Sequence, residues 1–215
     1  MYPAGNLFIP VEHGQLEAIL KHPRVTPKGV ALVLHPHPLG GGTMHNKVVF
    51  RAASALNDAG LTTVRINFRG VGQSTGQHDE GKGELDDVRA GLTYLATEFP
   101  RQQITLCGFS FGARVGLEVG ISDDRVANLI SIGTPVDKYD FGFIESNRKP
   151  ILFVHGEHDQ FGALEHVRKL VEKLKAGAKV ELVVIKDCEH FFEGHLNELK
   201  QAITAWTERQ LSNET

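Results

Sequence analysis

Ile104-Thr-Leu-Cys-Gly-Phe-Ser110-Phe-Gly-Ala-Arg-Val-Gly-Leu-Glu-Val119 passes from a strand pattern to a helix pattern with no loop between them. Residues 104–107 form a short apolar run that reads as a buried strand. From Phe111 to Ile121 the apolar residues fall at helical spacing. The junction is Gly108-Phe-Ser110-Phe-Gly112, a Gly-x-Ser-x-Gly pattern. A strand-to-helix turn this sharp strains the serine and lifts its Oγ above the sheet, and side chains at the two glycines would collide with neighbouring elements. A helix-capping serine looks similar locally, so the partners of Ser110 must decide between them. The pattern recurs at Gly72-Gln-Ser74-Thr-Gly76, but several residues past its strand and before Gln-His-Asp-Glu-Gly-Lys-Gly. Ser74 therefore reads as a turn residue.

Outward from this junction, apolar runs alternate with helical patterns, which predicts an α/β chain with a mainly parallel sheet covered on both faces. Strands are expected at residues 6–10 and 16–20, an antiparallel pair, then at 30–34, 61–67, 104–107, 126–132, 151–155 and 180–185. Helices are expected at 46–59, ended by Gly60, and at 84–98, 111–121, 164–175 and 196–211. No repeat or linker interrupts residues 1–215, so one domain is expected. The 133–150 connection is too short for a folded lid, which predicts an open, shallow site.

On a sheet carrying such an elbow, an acid and then a histidine follow the serine in chain order. The loop after strand 151–155 reads Gly156-Glu-His-Asp159-Gln-Phe, and Asp159 is the expected acid, with Glu157 and Asp137 as rivals. The loop after strand 180–185 reads Lys186-Asp-Cys-Glu-His190-Phe-Phe, and its one histidine, His190, is the expected general base. Phe191 and Phe192 are expected to pack around that imidazole, and His195 to be exposed. Oxyanion donors are expected from the backbone N–H of Phe111 and from the loop His35-Pro-His37-Pro-Leu39. Proline has no N–H, and His37, close behind its strand and stiffened by flanking prolines, is the expected donor. His35-x-His37 also has the look of a metal pair, yet no ligand set completes it.

The 215 residues carry a net charge of -3, with 41% hydrophobic and 23% charged residues, ordinary for a soluble globular chain. That balance points to a small-molecule partner, and to neither nucleic acid nor a membrane surface. Cys107 and Cys188 show no pairing pattern and read as free thiols of a reducing compartment. Met1-Tyr-Pro-Ala-Gly-Asn lacks the features of a signal peptide, and no apolar run reaches the length of a membrane span. A cytoplasmic protein is expected. The oligomeric state stays open.

Leu34-His-Pro-His-Pro-Leu-Gly-Gly-Gly-Thr-Met-His-Asn-Lys-Val-Val, Asn67-Phe-Arg-Gly-Val-Gly-Gln-Ser and Gly108-Phe-Ser-Phe-Gly together resemble a family of short, lidless bacterial α/β-hydrolases. These are usually described as predicted esterases and are similar to dienelactone hydrolases. The resemblance spans nearly the whole chain. It implies an α/β-hydrolase fold, Ser110, Asp159 and His190 in the triad positions, and no cofactor. Dienelactone hydrolases carry a cysteine nucleophile where this chain has Ser110, which sets it apart from lactone cleavage of that kind.

Other patterns carry less. Gly70-Val-Gly72-Gln-Ser-Thr-Gly76 misses the dinucleotide spacing, and Gly40-Gly-Gly-Thr-Met-His-Asn-Lys47 lacks a phosphate-loop ending. Asp86 and Asp87 are expected at a helix start, favoured by its dipole. Gly112, Gly116 and Gly120 suit close helix-to-sheet packing. The expected function is a serine carboxylesterase for small, short-acyl esters. The alternatives are a small peptidase or amidase with the same triad, or a non-catalytic binding protein on the same scaffold.

Overall fold

The computed structural model describes residues 5–175 and 177–212. Most of the amino-terminal stretch read for a signal peptide lies outside them. The chain runs β1 (Asn6–Val11), β2 (Gly14–Lys21), β3 (Gly29–Leu34), α1 (Lys47–Asp58), β4 (Leu61–Ile66), α2 (Lys82–Glu98), β5 (Ile104–Phe109) and α3 (Phe111–Ser122). It continues through β6 (Val126–Ile132), β7 (Ile151–Gly156), α4 (Leu164–Lys175), β8 (Val180–Ile185) and α5 (Leu196–Ser212). All eight strands join one sheet in the order β1-β2-β4-β3-β5-β6-β7-β8. β1 and β2 pair antiparallel, β2 meets β4 antiparallel, and every later pairing is parallel.

The apolar runs are continuous because the central strands are covered on both faces. Val30, Leu32 and Leu34 of β3 enter one core, with Val88 and Leu92 of α2, Val115 of α3 and Val167 of α4. Ala31 and Val33 enter the other, with Val49 and Leu56 of α1 and Ile203 and Trp206 of α5. Ile104 and Leu106 against Cys107 and Phe109 in β5 divide in the same way, as period-two side chains must. Among the described residues, no helix is long and apolar enough to cross a membrane.

After β3 the chain turns to β4 and then crosses back to β5 on the other side of β3. A sheet whose order reverses in this way leaves a crevice beyond the carboxyl ends of the two strands. The loop after β3 and the start of α3 meet there.

Two expectations at α2 are corrected. The helix begins at Lys82 and not at residue 84, because the fully buried Glu84 carboxylate accepts the N–H groups of Gly81 (2.8 Å) and Asp79 (3.0 Å) ahead of it. Asp86 and Asp87 therefore lie past the first turn. Asp87, fully buried, accepts from the Arg69 backbone N–H (2.9 Å) and its guanidinium (2.8 Å), an ion pair and not a dipole effect. Between β6 and β7 the only helical feature is a 3-10 turn, Gly142–Ser146, and among the described residues no lid covers the sheet edge.

Candidate active site

Strand β5 runs two residues further than the sequence suggests, to Phe109, and α3 begins at Phe111. Ser110 alone makes the turn, with φ 55° and ψ -117°. A non-glycine residue held there stores on the order of 1–3 kcal/mol of strain. Its N–H is anchored by the carbonyl of Ile132 (2.9 Å). Both glycines are needed for space: a Cβ on Gly108 would overlap the carbonyl of Gly112, and one on Gly112 would press on that of His35.

Ser110, Asp159 and His190 come together from three loops at the carboxyl ends of β5, β7 and β8. His190 Nε2 lies 2.9 Å from Ser110 Oγ, and its Nδ1 lies 2.7 Å from Asp159 Oδ2. Asp159 Oδ1 accepts the N–H groups of Phe161 (2.8 Å) and Gly162 (3.2 Å), so the carboxylate is held in place by its own loop. With Nδ1–H donating to Asp159, a neutral His190 leaves Nε2 to accept the Ser110 hydroxyl proton. Both Asp159 and His190 are buried.

His155, at the end of β7, supports this loop from below. Its Nε2 donates to the carbonyl of Gly162 (2.7 Å) and lies 3.7 Å from Asp159 Oδ2. Burial holds the His155 imidazole below its usual pKa range, against the raising effect of Asp159. The rival acids are engaged elsewhere. Glu157 accepts the N–H of Asp187 (3.0 Å), and Asp137 accepts that of Ala163 (2.6 Å) while pairing with His166.

The imidazole of His190 is enclosed by Phe161, Phe109 and Phe191, with ring centroids at 4.5, 5.1 and 5.1 Å. Phe191 fits the expectation and is 49% exposed at the rim. Phe192 does not: it is fully buried against Phe109 in the α1/α5 core. Phe161 takes the expected place of Phe192, and the only signal for it was its position two residues past the acid. Gly133, at φ +53°, passes so close to His190 that a Cβ would lie 3.2 Å from the ring. His195 is half-buried and not exposed, with Nδ1 3.4 Å from Glu198.

The β3 loop is pinned by the two other motifs singled out in the sequence. His35 is fully buried, with Nδ1 against the carbonyl of Pro36 (2.6 Å) and Nε2 accepting the N–H of Phe68 (3.0 Å). Burial pushes its pKa down to about 4. Both nitrogens are spent, so His35 and His37 do not form a metal pair. Asn67 Oδ1 accepts the N–H of Met44 (2.8 Å), and Arg65 donates to the Met44 carbonyl (2.7 Å). His37 itself packs between the rings of His78 (4.8 Å) and Phe111 (5.0 Å), and its Nδ1 accepts the N–H of Leu39. Burial, and then the neighbouring His78, lower its pKa. Among the described residues the backbone N–H groups of His37 and Phe111 have no hydrogen-bond partner.

Ser110 and His190 open into a cleft of about 380 Å³, lined also by Pro36, His37, Gly42, Tyr139 and Phe161. Ser74, the serine of the second Gly-x-Ser-x-Gly copy, is buried elsewhere, donating to the carbonyl of Asn67 (2.7 Å) and accepting the N–H of Glu17.

A serine on a strained strand-to-helix turn, at the crevice of a doubly covered parallel sheet, defines the α/β-hydrolase class. The chain belongs to the alpha/beta hydrolase fold family, whose model matches residues 31–145. That span holds the His37 loop and the elbow, and Asp159 and His190 lie beyond it. An uncharacterized protein of Rickettsia prowazekii is 39% identical over 181 residues, covering 81% of this chain and 76% of that one. An alpha-beta serine hydrolase homologue from Coxiella burnetii is 36% identical, with a TM-score of 0.86 over 95% of this chain and 98% of the other. XC6422 from Xanthomonas campestris, described as an a/b serine hydrolase without lid, is 34% identical, with a TM-score of 0.88 over 98% and 97%.

Proposed function

We propose that this protein is a serine hydrolase that cleaves small carboxylic esters through an acyl-enzyme. The observation that carries the reading is the continuous chain Ser110 Oγ, His190 Nε2, His190 Nδ1, Asp159 Oδ2, with links of 2.9 and 2.7 Å, opening into a cleft. His190 takes the Ser110 proton as Oγ bonds to the ester carbonyl carbon. The resulting oxyanion is received by the N–H groups of Phe111 and His37, which have no other hydrogen-bond partner among the described residues. The imidazolium, stabilised by Asp159, returns its proton to the leaving alkoxide as the carbon–oxygen bond breaks. Water, deprotonated by the same imidazole, then releases the carboxylic acid and regenerates Ser110.

Esters are favoured over peptide amides because no carboxylate lines the cleft among the described residues to anchor a peptide amine. A short acyl chain suits a cleft of this volume with no lid to enclose a long one. A reducing, cytoplasmic setting belongs to the same reading, supported by two cysteines that are both free and buried.

The test is Ser110→Ala, assayed on short-acyl nitrophenyl esters and labelled with a fluorophosphonate. Labelling is expected at Ser110 only, and turnover should fall by at least about 10³-fold. Wild-type turnover in the variant overturns the proposal.

A further inference from the structure

Among the described residues that line the cleft around Ser110, one carries a permanent charge. The described lining includes Pro36, Tyr139, Phe161 and Phe191, no aspartate or glutamate, and one lysine, Lys138. Lys138 lies in the connection after β6, where its backbone N–H donates to the carbonyl of Pro135 (3.0 Å). Among the described residues no carboxylate pairs with its ammonium. The flanking acids are turned to other work: Asp137 to Ala163 and His166, and Asp140 to the N–H of Gly142 (2.8 Å).

The Lys138 Nζ sits 5.6 Å from the centroid of the Phe161 ring, the ring that packs 4.5 Å from His190. An aromatic face can hold an ammonium in place without neutralising it and without using its N–H donors. The cation is thus positioned one ring away from the general base, exposed to solvent at the mouth of the cleft and with no carboxylate partner among the described residues.

We infer that Lys138 selects the substrate: it binds a carboxylate carried by the ester, in the acyl or the alcohol part, a few atoms from the scissile carbonyl. The inference rests on the esterase reading of the site. The apolar walls take the intervening methylenes, and the ammonium takes the charged end through a charge-assisted hydrogen bond.

The experiment compares kcat/KM for charged and neutral esters of matched length. Monomethyl adipate against methyl hexanoate places the carboxylate on the acyl side. The acetyl ester of γ-hydroxybutyrate against butyl acetate places it on the alcohol side. The wild type should prefer the charged member of at least one pair. Lys138→Met should lower that charged-to-neutral ratio about tenfold or more, the size of one charge-assisted hydrogen bond. Lys138→Arg should keep most of it, and Lys138→Glu should invert it. Equal ratios in the wild type and Lys138→Met, for both pairs, overturn the assignment. Fluorophosphonate labelling of the wild type separates the two failures: labelled protein with no charge preference refutes the role of Lys138 alone, whereas unlabelled protein refutes the esterase reading beneath it.

Discussion

A Cβ built on Gly112 would lie 2.5 Å from the carbonyl oxygen of His35, so the first turn of α3 rests directly on the backbone that leaves β3. That contact joins the elbow to the His37 loop, and the backbone N–H groups of Phe111 and His37 in these two segments have no hydrogen-bond partner among the described residues. Gly112→Ala must push backbone against backbone. It should destabilise the fold by about 1–3 kcal/mol or more, despite the better helix propensity of alanine. Gly116→Ala meets only the flexible end of Leu34 (Cδ1 at 2.9 Å) and should cost less. Urea unfolding of the two variants reads the difference; equal midpoints would contradict the contact.

Asp159 Oδ2 meets His190 Nδ1 at 2.7 Å, whereas Glu157 accepts the backbone N–H of Asp187. Asp159→Asn should lower kcat by up to about 10⁴-fold by favouring the wrong imidazole tautomer. Glu157→Gln should leave kcat within about threefold, as a change at a half-buried residue that contacts none of the reacting groups. Steady-state kinetics on one neutral ester decides it, and comparable losses in both variants would refute the choice of acid.

Stability should fall as the pH drops below neutrality, partly through His35. Burial lowers its folded pKa to about 4, whereas the unfolded value is near 6.5. Above the unfolded value His35 is neutral in both states and contributes no pH dependence. Between the two values the unfolded chain binds the extra proton, so unfolding becomes easier as pH falls. From pH 7 to pH 5 this group alone should remove about 2 kcal/mol. Urea titrations of the wild type and His35→Gln should show a visibly shallower pH slope in the variant. Parallel slopes would remove His35 from the account.

Asp87 is a structural anchor. It is fully buried and holds the backbone and guanidinium of Arg69, with His13 Nε2 at 3.1 Å. Asp87→Ala removes the fully buried carboxylate that pairs with the half-buried Arg69 guanidinium and should cost about 3 kcal/mol. The neighbouring Asp86 pairs with Arg89 at the surface, and Asp86→Ala should change stability by no more than about 0.5 kcal/mol. Denaturant midpoints for the pair test the contrast.

Much of the site was legible because strand order and chain order are linked in a parallel sheet. The apolar runs at 104–107, 151–155 and 180–185 name strands whose carboxyl ends share one edge, so the loops holding Ser110, Asp159 and His190 had to gather there. The glycines of the elbow were legible for the same reason, since a turn without a loop leaves no room for side chains. Asp87 and the start of α2 were misread because sequence spacing shows a carboxylate near a helix start but not the arginine that reaches it from another loop. Phe192 was misplaced because adjacent aromatics at a loop end point to opposite sides, and only packing decides which one faces the imidazole.

What the chain order alone settled is the layered sheet, its crevice and the types of residue delivered there, because periodicity and glycine placement act locally along the backbone. What required the folded molecule is which carboxylate meets His190, that Phe161 encloses it, that both nitrogens of His35 are already taken, and that Lys138 reaches the cleft with no carboxylate partner among the described residues. Those are contacts between loops distant in sequence, set by how β3, β5, β7 and β8 align side by side.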